Sequence, residues 1–366
     1  MERRARRPRI ADVAREAGVS KTAVSFAFNS PERLAVGTAT RIREVAESLG
    51  YRPNPVARLL TQPRTMTLGV LTPQALAATF SNPFFAEFSE GVAETAERLG
   101  YELHFISPLH GSLALAVGRA TVDGVVAIGL SASHPEVGQI QAAGLPMVLV
   151  DSDDLPGHGS VVVDDEDGAR AAAEHLLGLG HRDVLVLAVE GPEGSAGPDM
   201  ARQSGVTARR LRGYRAAFEA AAIELPADRI VAGRASIEGG ADALRRAWAA
   251  GRRPTGVLAM SDAMAIGAMS AARGSGLAVP RDLSVVGFDD VDIAAHVEPP
   301  LTTVHQPIRQ KGAEAARLLL AGIERRAGEG VGTSDHGPER LRLPTRLVIR
   351  GSTTTPPDRT GRPAPA

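Results

Sequence analysis

Residues Ile10–Asn29 read IADVAREAGVSKTAVSFAFN, a short amphipathic helix, a tight turn and a second helix in the proportions of a DNA-reading helix-turn-helix. Counted from Ile10, Ala14, Gly18 and Val24 fall at the fifth, ninth and fifteenth positions, and each has a steric task. Ala14 must be small because the second helix crosses close to the first there. Gly18 supplies the positive-φ residue that ends the first helix without strain at Cβ. Val24 plugs the space between the helices beside Val13, Ala17 and Val19, and Ser20 sits where the second helix needs an N-cap oxygen. The competing reading is an ordinary helical hairpin stopped by glycine.

Charge separates this segment from the rest. The chain has 366 residues with a net charge of -1, yet through Arg64 it carries thirteen Lys/Arg against six Asp/Glu, a balance of +7. The remainder holds twenty-eight against thirty-six, or -8. A basic head on an acidic body points to a polyanion as partner of the head alone. The run Arg3, Arg4, Arg6, Arg7 and Arg9 suits an arm lying along phosphates, with a solvated tail as the alternative. A hydrophobic fraction of 43% supports more than one buried core. With no cysteine, disulfides and thiolate metal sites are excluded. The N-terminus lacks an apolar signal-peptide core and no stretch reaches the length of a membrane span, so a cytoplasmic protein without membrane contact is expected.

Beyond a loop over Ser30–Gly37, a third helix is expected from about Thr38, its cap, to Leu49, with Ile42, Val45, Ala46 and Leu49 as its buried stripe. Asn54 as N-cap and Pro55 as first helical residue then mark a short helix, marginal on its own. From Thr67 the pattern alternates. Strands are expected at 68–71, 102–106, 124–128, 147–150, 183–189, 229–232, 256–260, 283–288 and 341–349. Helices are expected at 84–99, 168–179, 209–222, 237–249, 262–272 and 308–323. Alternation implies parallel sheets covered on both faces, and the strand number implies two of them. The expected fold class is therefore α/β: an all-α helix-turn-helix head followed by two doubly wound subdomains. Arg326–Glu339 is Gly-rich and charged, as expected of a surface loop, and the proline-bearing tail is expected to be disordered.

From about Ile10 to Arg350 the chain closely resembles the lactose/galactose repressor family of bacterial transcription regulators. The resemblance is carried by the helix-turn-helix segment, TATRIREVAESLGYRPNPVARLL, SNPFFAEFSEGVAETAERLGY, VDGVVAIG, VVVDDEDGARAAAEHLLGLGHRDVLVL, RLRGYRAAF, VLAMSDAMAIGAM, VPRDLSVVGFDDVDIA and PPLTTVHQP, in that order. It implies a body of periplasmic-binding-protein type with a small effector in its cleft, and a homodimer whose operator affinity the effector controls. The implied domains are a head over 1–52, a hinge helix and linker over 53–66, an effector and dimerisation domain over 67–350, and a tail over 351–366. Within the third, one subdomain takes about 67–163 and 303–325, the other about 164–302 and 341–350.

In a helix-turn-helix the first residues of the second helix enter the major groove. That places Lys21 and Thr22 against bases, with Phe26 one turn on, and the resemblance implies base contact at the same three positions. Lysine donates to guanine, while threonine hydrogen-bonds or touches a thymine methyl. Phe26 departs from the polar or basic residue frequent there in the family; packing on a thymine methyl and simply covering the helix–backbone gap both stay open. Ser20, Ser25 and Asn29 fit phosphate contacts, or local capping. The resemblance adds Arg58 and Leu60 in the hinge, with Leu60 as an apolar wedge that kinks the centre of the operator; an exposed linker is the alternative.

Ligands of open α/β folds meet the loops beyond strand carboxyl ends, here the loops after Leu71, Val150, Met260 and Phe288. The resemblance implies Phe80, Asn82, Asp151, Arg210, Ser261, Asp289 and Gln306 as effector residues. Asp289 suits sugar hydroxyls or a base N–H, Arg210 offers a fork, and Phe80 can stack on an apolar ring face. A cleft salt bridge or a strand-end cap is the structural alternative. Asp164–Asp167 reads as dipole compensation at a helix start rather than a metal site. Compared with the family, 190–208 is long and 106–122 is short, so a sugar effector and a purine or other metabolite both stay open. No nucleophile elbow, phosphate loop or zinc helix appears, the nine histidines are scattered, and Gly328–Gly332 lacks the strand a glycine fingerprint needs. Neither catalysis, nor a cofactor, nor a metal is expected. A solute-binding protein shares the body fold but would not carry the head. The reading is a transcription regulator, a repressor by resemblance, partnered by a near-palindromic duplex, a small effector and a second copy of itself; a tetramer stays open.

Overall fold

The computed structural model describes residues 8–52, 64–190, 205–328 and 338–357. The chain divides into two units, Met1–Thr65 and Met66–Ala366.

The first unit is helical: α1 (Ile10–Glu16), α2 (Lys21–Asn29), a short 3-10 turn over Pro31–Arg33, and α3 (Val36–Ser48). Val13, Ala14, Ala17, Val24, Ala27, Ile42 and Ala46 form its buried cluster, which is the set of small and β-branched residues on which the three helices converge. Gly18 has φ +64, and the Val19 amide closes onto the Ala14 carbonyl at 2.9 Å, so the turn ends α1 as expected. The Ser20 hydroxyl accepts from the Ala23 amide at 3.1 Å. The third helix starts two residues earlier than Thr38, with Ala35 as N-cap and no side-chain cap bond. Arg43 ties it to the second helix by donating to the Ala27 carbonyl at 3.1 Å.

The second unit holds two six-stranded sheets. The first uses β1 (Thr67–Leu71), β2 (Glu102–Ile106), β3 (Gly124–Ile128), β4 (Met147–Val150), β5 (Gly159–Val163) and β11 (Arg340–Leu343), in the order β11-β5-β4-β3-β1-β2. All its pairings are parallel. The second uses β6 (Val184–Val189), β7 (Ile230–Gly233), β8 (Gly256–Ala259), β9 (Ser284–Asp289), β10 (Thr302–His305) and β12 (Arg346–Val348), ordered β12-β10-β9-β8-β6-β7, with β12 alone antiparallel. Helices α4 (Leu76–Thr79), α5 (Phe84–Glu97), α6 (Leu113–Arg119), α7 (Val137–Ala142) and α12 (Ile308–Gly328) belong to the first lobe; α8 (Asp165–Gly178), α9 (Gly205–Ala220), α10 (Ile237–Ala249) and α11 (Asp262–Gly274) belong to the second. Central strands such as β3 and β8 are buried along their whole length, because helices cover both faces. No described helix is long and apolar enough to cross a membrane.

The chain passes between the lobes three times, after β5, after β10 and after β11, and this corrects the expected boundaries. Residues 302–305 pair with β9 in the second sheet, so the return to the first lobe begins after them and not at 303. The single strand expected over 341–349 is two strands: β11 pairs with β5, β12 with β10. Pro344 between them has no N–H to continue a ladder. The helix expected from Gly168 starts at Asp165. Strands β5 and β10 were not anticipated. The tail expected to be disordered is anchored at its start: the Ser352 hydroxyl donates to the Val285 carbonyl at 2.6 Å, and the Thr354 amide donates to Ser284 at 3.0 Å.

Helices α5 and α12 touch backbone to backbone at two glycines. A Cβ on Gly91 would stand 1.9 Å from the Arg309 carbonyl oxygen, and one on Gly312 would stand 2.2 Å from that of Phe88. This contact fixes the N-terminal turn of α12, which carries a functional side chain.

Candidate functional site

Two groups of residues are candidates, one in each unit. On the head, Lys21 and Thr22 are exposed at the N-terminus of α2, where backbone N–H groups and the positive helix end also face outward. Phe26 is half-buried, with the Arg33 guanidinium 5.2 Å from its ring centroid, so one side of the ring is taken. Ser20 caps α2, and Asn29 donates to the Ser25 hydroxyl at 3.2 Å; both local bonds are compatible with further phosphate contact. Arg58 and Leu60 lie outside the described residues.

In the body, strand carboxyl ends from both sheets converge. Asp151 follows β4, Ser261 follows β8, Asp289 ends β9 and Gln306 follows β10. Asp151, Asp289 and Asp290 take positive φ values of 49, 127 and 58, strained for non-glycine residues and of the kind that concentrates at functional sites. A continuous polar chain joins the lobes. Lys311 Nζ lies 2.7 Å from Asp151 Oδ2 and donates also to Gln306. Gln306 Nε2 donates to Asp289 Oδ1 at 2.6 Å, and Arg210 stands 3.7 Å from the same oxygen. Arg210 is committed more closely to Asp165, its Nε donating at 2.9 Å; it also donates to the Met260 carbonyl and lies 3.5 Å from the Phe288 ring centroid. Arg209 donates to the second Asp165 oxygen at 2.9 Å.

These commitments set the charges. Burial opposes ionisation of Asp165, but Arg210 and Arg209 outweigh it and hold its pKa below the usual carboxylate range. For Arg210, burial is likewise outweighed by Asp165 and Asp289, which raise its pKa. Asp289, whose cation is distant, is pushed by burial up to about 7 against the pull of Arg210 and Gln306. Asp262 is fully buried, accepts from Thr303 and from the Val291 amide at 3.0 Å, and is pushed by burial and by Asp289 up to about 8. The floor therefore sets Asp165, paired with two arginines, beside carboxyls whose pKa burial raises, with donors and acceptors from two lobes. That is suited to a polyhydroxyl or heteroaromatic ligand.

Matches to known proteins agree with this layout. Residues 9–54 match the bacterial regulatory proteins of the lacI family, and residues 173–353 match the periplasmic binding protein-like domain. The transcriptional regulator DegA of Bacillus subtilis is 32% identical over 94% of this chain and 98% of its own. The regulator CelR of Thermobifida fusca is 33% identical over 96% and 100%. This chain belongs to the lacI family. It is a DNA-binding transcription regulator, with the mixed α/β fold of that family. Among solved structures, a lac repressor dimer bound to operator and the anti-inducer ONPF superposes with TM-score 0.75 at 28% identity, covering 95% of this chain and all of that one. A CelR–cellobiose complex gives 0.65 at 30% identity, over 94% and 100%.

Of the residues expected at the lacI-type effector site, Asp151, Arg210, Asp289 and Gln306 come together in one network. Ser261 uses its oxygen to cap α11, accepting from the Met264 amide at 3.2 Å. Asn82 is buried and accepts from the Phe84 amide at 3.1 Å, starting α5. Phe80 is half exposed and packs edge-on to Phe105 with centroids 5.2 Å apart. Asp165, Asp262 and Lys311 were missed. Lys311 was findable: it lies three residues after Ile308 and four before Ala315, on the apolar stripe of its helix, where a lysine needs a partner.

Proposed function

We propose that this regulator is a homodimeric repressor, working in the cytoplasm without catalytic activity. A small effector bound between the lobes of the body, most simply a sugar or sugar derivative, controls its operator affinity. The observation that carries the effector reading is the set of acceptors and donors from both lobes, Asp151, Gln306, Asp289 and Arg210, meeting at strand carboxyl ends. A ligand that contacts both lobes changes their separation, and a change there is what a dimer can transmit to its heads. The relatives support the class: a CelR structure holds cellobiose, and a lac repressor dimer structure holds operator DNA. The transcriptional repressor PurR of Aliivibrio fischeri is also similar, at 30% identity over 94% of this chain, and for a purine effector the exposed Phe80 ring is the feature a planar base would use. Lys21 and Thr22 read bases, Phe26 borders them, and Ser20, Ser25 and Asn29 hold phosphates. Arg58 and Leu60 are proposed to act at the centre of a near-palindromic site.

The test is operator binding by anisotropy in the presence of neutral sugars and purines, with Arg210→Met and Asp289→Asn in parallel. An effector shifts wild-type affinity and leaves both variants unresponsive. Responses unchanged in the variants would remove the cleft from the account. Lys21→Ala and Thr22→Ala should each cost about 1–3 kcal/mol of discrimination between operator and random duplex.

A further inference from the structure

Lys311 has a completely buried side chain. Its Nζ lies 3.0 and 2.7 Å from the two Asp151 oxygens and donates to Gln306 Oε1, and it stands 5.2 Å from the Phe84 ring centroid. An ammonium has three protons, and three oxygens receive them here. A buried cation is tolerated only when paired and fully hydrogen-bonded, so this cage of carboxylate, amide carbonyl and aromatic face is a complete ammonium site whose guest the chain itself supplies. The cage draws on three places in the body: Asp151 just after β4, Gln306 in the crossover after β10, and Phe84 at the start of α5. Because Gln306 also donates to Asp289, seating the ammonium orients acceptors belonging to both lobes.

We propose that Lys311 is a positioning and specificity-determining residue of the effector cleft. It presents Asp151 to the effector as half of a neutral pair. An amine-bearing ligand then finds the Asp151 carboxylate already paired, whereas hydroxyl groups can still reach its remaining lone pairs, since that side chain keeps 9% of its surface exposed. The proposal rests on the effector entering this cleft, but its test needs no effector. A failure here therefore leaves the response to sugars or purines as a separate question.

The full-length wild type, Lys311→Ala and Lys311→Ala/Asp151→Asn are followed by thermal unfolding and calorimetric titration with n-butylammonium chloride, and with n-butanol as the uncharged control. In Lys311→Ala the vacated cage should take butylammonium saturably, so that probe at about ten times its apparent Kd shifts the unfolding equilibrium about tenfold. Butanol should not do this. Neither the wild type, whose cage is full, nor the double variant, whose cage lacks the carboxylate, should respond. Equal butylammonium responses in wild type and Lys311→Ala, or none in either, overturn the proposal. If Lys311→Ala does not fold, the near-isosteric pair decides: Lys311→Met/Asp151→Asn should be more stable than Lys311→Met alone, because it removes the orphaned charge. The reverse order overturns the cage.

Discussion

Replacing Arg210 by methionine is the perturbation whose size the structure constrains most closely. The guanidinium donates to Asp165 at 2.9 Å and to the Met260 carbonyl, and it stands 3.7 Å from Asp289. Deleting one partner of a buried ion pair costs about 3–5 kcal/mol. Two features of this site pull toward the lower end. Asp165 keeps Arg209 on its other oxygen at 2.9 Å. Asp289, already pushed up to about 7, can escape an unpaired charge by taking a proton. Methionine also restores much of the apolar volume beside Phe288. The expected loss is about 3 kcal/mol, which is roughly a hundredfold in the unfolding equilibrium. Urea denaturation at pH 7.5 measures it, and Asp165→Asn with the double variant closes a cycle. The two single losses should be non-additive by more than about 1 kcal/mol. A loss below about 1 kcal/mol in Arg210→Met, or additivity within about 0.5 kcal/mol, would refute the buried network as the organiser of the floor.

Two further outcomes follow from the same geometry. Asp262 and Asp289 have folded pKa values pushed up to about 8 and about 7, against about 3.9 in an unfolded chain. The folded state therefore binds more protons across that window. The stability they contribute is complete below about pH 4 and falls as pH rises toward 8; Asp262→Asn should flatten the upper part of this fall in a series of melts, and an unchanged slope would assign it elsewhere. Gly91→Ala places a Cβ 1.9 Å from the Arg309 oxygen; separating the helices should cost about 2 kcal/mol or more despite the better helix propensity of alanine, and an unaltered melting temperature would deny the close approach.

Sequence reading recovered the elements whose chemistry is local. The head was legible because Ala14, Gly18, Ser20 and Val24 each meet a steric or capping need within a few residues. Most strands were legible as short apolar runs between helical stripes. Strand β10 escaped because its buried residues include Thr302 and Thr303, whose hydroxyls bond to Asp262, Thr353 and the Arg350 amide, all about forty to fifty residues away in the chain. The division of 340–348 between two sheets escaped for a similar reason, since pairing partners and not composition separate β11 from β12. Within the cleft, Asp151, Arg210, Asp289 and Gln306 were reached through strand ends and family resemblance. The sequence shows Asp165 only as a helix-dipole residue, which it is, because its second task depends on α9 delivering Arg209 and Arg210 from 44 and 45 residues away.

The central claim is that this chain reads a defined duplex sequence as a dimer. Selection from a random duplex pool by the purified full-length protein at near-physiological salt tests it most directly, run with and without sugars and purines. The expected product is a near-palindrome with two half-sites and a fixed centre. Enrichment of no sequence under any ligand condition, with binding that tracks salt alone, would contradict it.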